Sequence, residues 1–125
     1  MRLIALTSPP LAAQMARAIA ERLQAIVAVK GHYDRDMPGR PGDILLIRRG
    51  GAEVMPPGEF KAAVSELLLD AGLVPPVPQG AFQRRVKQSM RDIKSYLRGP
   101  RRGPWRAVIP DAVVRETIRR EGALN

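Results

Sequence analysis

The chain has no cysteine, which excludes disulfides, thiolate metal sites and cysteine nucleophiles together. Its single histidine, His32, cannot by itself build a histidine metal cluster. Aromatic residues make up 4% of the sequence, and Trp105, Tyr33, Tyr96, Phe60 and Phe82 are the whole supply. The core must therefore rest on Leu, Ile, Val, Ala and Met, and widespread stacking of bases on aromatic rings is ruled out. No stretch approaches the roughly 20 apolar residues that a membrane span requires. The first apolar run is broken by Ser8, Pro9 and Pro10 and then carries Arg17, Glu21 and Arg22, which argues against an export signal. A soluble, cytoplasmic protein with no membrane partner is the expectation.

What is present fits one domain. The 125 residues are 45% hydrophobic and 26% charged, enough apolar surface to fold alone. Residues 2–7 (RLIALT) read as a strand, and Ser8 followed by two prolines reads as the start of a helix. Leu11, Met15, Ala18, Ile19 and Leu23 recur at helical spacing, and residues 25–30 (AIVAVK) read as a second strand, which suggests a βαβ start. Residues 31–42 are dense in turn formers and read as an exposed loop without a bound metal. Residues 43–49 (DILLIRR) give the strongest strand, apolar enough for burial on both faces. The tract GGAEVMPPG reads as a connection into a helix over 59–71, where Phe60, Val64, Leu67, Leu68 and Ala71 form the buried stripe and Gly72 the C′ residue. A proline-rich linker (73–80), a basic helix (81–98) and a basic arm (from 99) follow, with a closing strand over 105–109 and a terminal helix capped by Asp111 that carries Val114 and Ile118. The expected fold class is α/β: a small sandwich whose core spans residues 1–72, with a mixed, partly parallel sheet of three to four strands and four helices.

The net charge of +9 is concentrated. Residues 84–106 hold nine cations against Asp92 alone, a local excess of +8. On a wheel of about 100° per residue, Val86, Met90, Ile93 and Leu97 fall within about 80° of Phe82 and form a core face. Arg84, Lys87, Arg91, Lys94 and Arg98 fall between about 120° and 200°, a second stripe beside the first. Like charges three and four apart oppose an isolated helix, and no acid on that face relieves them. The stripe runs on into the arm GPRRGPWR, where Arg101, Arg102 and Arg106 can follow a phosphate backbone and Trp105 offers one stacking platform. A core position at the start of a strand is the alternative for Trp105. These features point to nucleic acid, DNA or RNA, contacted by a non-catalytic module. An acidic protein partner, in a virion or a larger complex, is the structural alternative. A membrane surface ranks below both, because the helix's apolar face is needed for the core.

One motif bears on chemistry. Asp43 and the pair Glu59 and Lys61 stand as PGD, fifteen residues, ExK. The arrangement resembles the metal-binding pattern of the PD-(D/E)xK nucleases. That resemblance covers about twenty residues and implies two carboxylates holding Mg²⁺ while a lysine orients the attacking water. In that family the triplet usually ends a strand, whereas here MPPG precedes Glu59 and a helical stripe starts at Phe60. The competing reading has Asp43 closing a turn and Glu59 in a first helical turn, where its charge suits the dipole. No cofactor is expected except Mg²⁺ under the nuclease reading. Thr7 and Ser8 occupy the place after a first strand where α/β folds receive phosphates. Pro9 and Pro10 remove two of the amides such a site needs.

Overall fold

In the computed structural model, residues 10–31, 35–70, 72, 78–99 and 106–124 are described. They form α1 (Leu11–Leu23), β1 (Ile26–Val29), β2 (Ile44–Arg48), β3 (Gly51–Val54), α2 (Pro57–Asp70), α3 (Gln79–Arg98) and α4 (Asp111–Leu124). The class is α/β, with four helices and a three-stranded sheet of order β1-β2-β3 among these residues. All pairings among the described residues are antiparallel. The strand expected over 2–7, and with it the parallel half of a βαβ start, lies outside the described residues.

The central strand is the one whose sequence alternates least. Ile44, Leu45 and Leu46 are all buried because β2 has a neighbour on each edge and cover on each face. Val27, Val29, Ile44 and Leu46 face the helical side and join the core with Met15, Ile19, Phe60, Val64, Leu68, Val86, Ile93 and Leu97. β3 corrects the sequence reading, in which residues 51–54 belonged to a connection. Arg48 pairs with Gly51 across a two-residue turn, and an Arg48–Glu53 ion pair ties the hairpin. The strand is short, rich in small residues and only half-buried at Ala52 and Val54, so its alternation is faint.

The connection from β1 to β2 is pinned at its base. The Lys30 amide donates to the Asp43 carbonyl and the Gly42 amide to the Lys30 carbonyl, each at 2.9 Å. The Lys30 ammonium then donates to the carbonyls of Met37 (2.6 Å) and Gly39 (2.7 Å). His32, Tyr33 and Asp34 lie outside the described residues.

Proline opens three of the helices. Pro10 and Pro78 hold the N-cap positions of α1 and α3, with ψ of 149° and 145°, and Pro57 starts α2, where its missing N–H costs nothing. α2 therefore begins two residues earlier than the sequence pattern suggested, and Gly72 takes φ +63° beyond its end. α3 likewise begins at Gln79, so the last two residues of the expected linker are helical. The closing strand reduces, in its described part, to one antiparallel bridge between Val108 and Val27. α4 is held at its first residue: the Asp111 amide donates to Glu21 (2.8 Å), and Arg17 donates to the Asp111 carboxylate (3.2 Å).

Candidate nucleic-acid interface

α3 is positioned by its apolar stripe. Val86, Ile93 and Leu97 have no exposed surface, with Phe82 and Met90 packed beside them, and the helix lies against α1, α2 and β1. With that face fixed, the opposite arc must point outward. Arg84, Lys87, Arg91 and Arg98 are exposed and Lys94 is half-buried, along a helix segment about 21 Å long at 1.5 Å per residue.

The electrostatic setting of this stripe differs from that of five arginines elsewhere. Arg17 pairs with Asp111, Arg22 with Glu66 and Asp70, Arg48 with Glu53, and Arg119 and Arg120 with Glu116. None of the five stripe residues has a carboxylate partner among the described residues. Asp92, the one acid on α3, is held by the Gln88 side chain at 2.9 Å, on the far side of Gln88 from the stripe. An unneutralised row of this kind raises the local potential and is screened only over about 8 Å at physiological salt.

Arg106 is set apart from the row. Its amide donates to the Leu97 carbonyl (2.8 Å), and its guanidinium donates to the Tyr96 carbonyl (2.9 Å) and lies 4.6 Å from the Tyr96 ring centroid. Tyr96 falls about 160° around the helix from the middle of the stripe. Arg106 thus caps the C-terminal carbonyls of α3, where a cation also suits the helix dipole. Arg101, Arg102 and Trp105 lie outside the described residues. The two ends of their segment are fixed at the last turn of α3, since the Gly99 amide donates to the carbonyls of Ser95 and Tyr96.

The residues of the nuclease-like pattern occupy two different settings. The Asp43 carboxylate accepts the Arg40 amide at 2.8 Å, and the Asp43 amide donates back to the Arg40 carbonyl, which closes a turn. Glu59 and Lys61 are exposed in the first turns of α2, not at the end of a strand. Among the described residues no group of three His, Asp or Glu side chains stands close enough to hold a metal ion. No family model, curated protein or solved structure matches the chain.

Proposed function

We propose that the protein is a non-catalytic nucleic-acid-binding module that grips the phosphate backbone with the exposed face of α3. The observation that carries this reading is the contrast in pairing. Five arginines elsewhere are matched by carboxylates, while the row Arg84, Lys87, Arg91, Lys94 and Arg98 is held outward by a buried stripe and left without acids among the described residues. Phosphates would relieve the repulsion along that row and release their counterions. Arg101, Arg102 and Trp105 extend the contact from the arm that leaves α3 at Gly99. DNA and RNA duplexes both present the required charge, and phosphate contacts position a protein without reading bases.

The test is the salt dependence of binding. Five neutralised duplex phosphates give a slope of log K against log salt of about −4 to −5, at roughly −0.9 each. Lys87→Ala with Arg91→Ala should flatten the slope by about two contacts. Arg35→Ala with Arg40→Ala removes equal charge from exposed side chains of the β1–β2 connection and breaks no ion pair among the described residues. Equal effects from the two double variants would mean that net charge alone matters and would sink the assignment to α3.

A further inference from the structure

A second surface is built around α4. Large hydrophobic side chains exposed among the described residues are few, and three of the four, Ile109 (41%), Val114 (40%) and Ile118 (63%), gather in one place. Ile109 and Val114 line an open groove of about 430 Å³ between α1 and α4, together with Ala13, Tyr96 and Val108. Ile118 stands one helical turn beyond Val114 and continues the same apolar line. Scattered exposed apolar residues need no explanation, but a contiguous set around a groove marks an interaction surface.

Charge selects the occupant. Arg106 is exposed and lies against the Tyr96 ring that lines the groove, and Arg115 is exposed beside Val114. The nearby acids are already engaged: Asp111 and Arg17 neutralise each other, Glu21 accepts the Asp111 amide, and Glu116, about 200° around α4 from Val114, is held by Arg119 and Arg120. A second copy of this chain would bring another +9 to a basic rim, so self-docking is electrostatically opposed. We infer that the groove docks an acidic amphipathic helix from a partner protein, its apolar side chains over Ile109, Val114 and Ile118 and its carboxylates toward Arg106 and Arg115, which have no carboxylate partner among the described residues. Helix-in-groove recognition of this type uses apolar anchors at i, i+3 or i+4, and i+7. With α3 directed at phosphates, the chain would then join a nucleic acid to a protein through separate faces.

The experiment uses the full chain and a fluorescein-labelled helical peptide with Leu at anchor spacing and Glu between, read by fluorescence anisotropy. Binding should weaken by about tenfold or more in Ile118→Glu and in Arg115→Glu, as for loss of an interface anchor, while Lys87→Ala with Arg91→Ala leaves it unchanged. Both positions on α4 are exposed, so circular dichroism melting should show the variants folded. Three results would overturn the inference: no binding, equal binding of a scrambled peptide of the same composition, or equal losses from the α3 and α4 variants. Sedimentation showing a dimer that Ile118→Glu dissociates would also overturn it, since the groove would then be filled by a second copy.

Discussion

Gly39 and Gly42 have similar backbones, with φ of +86° and +95°, yet their surroundings differ. A Cβ on Gly39 would come 2.6 Å from Val54 Cγ2 and 2.8 Å from Asp43 Oδ2, while one on Gly42 would meet nothing within 4 Å. Gly42→Ala should therefore lose only the left-handed backbone term, about 1–2 kcal/mol. Gly39→Ala should lose clearly more, because it also forces the loop off Val54 and disturbs the Asp43 turn. Urea denaturation of the two variants checks the order, and equal losses would contradict it. Arg106 offers a second comparison. As a cap on Tyr96 it should cost about 1 kcal/mol when changed to Ala, through the lost hydrogen bond and the ring contact. It should alter the salt slope of binding less than Arg98→Ala does. Neither the Val54 contact at Gly39 nor the Arg106 contact was legible in the sequence, because the first depends on the β2–β3 hairpin and the second on the return of the chain to α3.

α3 and α4 are both amphipathic by sequence, but they are held differently. α3 is gripped along its length, so Ile93→Ala should leave a cavity and cost about 2–5 kcal/mol. α4 is tied at Asp111, and its Ile118 is 63% exposed, so Ile118→Ala should stay within about 0.5 kcal/mol in the same denaturation experiment. The sequence marked both helices through their periodicity, and it placed the core and cationic faces of α3 correctly, since fixed spacing determines both. It carried no sign that Val114 and Ile118 would stand out in solvent, because the docking angle of a terminal helix depends on its anchor. β3 escaped notice for a related reason. Gly50 and Gly51 read as a turn, and the strand exists because β2 offers it a free edge. The triplet around Glu59 reads as strand-like only if the helical stripe that starts at Phe60 is ignored.

Taken together, the ion pairs match five arginines on α1, β2 and α4, whereas the row on α3 is a continuous strip of cations without carboxylate partners among the described residues. If the row on α3 binds through charge alone, duplexes of unrelated sequence should give the same salt slope, and EDTA should leave binding unchanged. Gel-shift titrations at several salt concentrations measure both, and a strong sequence preference or a metal requirement would refute the backbone reading. No helix among the described residues is long and apolar enough to cross a membrane. The candidate row was legible from composition and spacing; its isolation from carboxylates was not, since that depends on which acids the fold sends elsewhere. The hydrogen bonds that the Gly99 and Arg106 amides donate to the last turn of α3 have an evolutionary consequence as well. Closing a loop between two fixed points costs little more as the loop grows, about 0.6 kcal/mol for each doubling of its length. The segment between them can therefore gain or lose residues at small cost to stability, so its length can vary while the helix that carries the row stays in place.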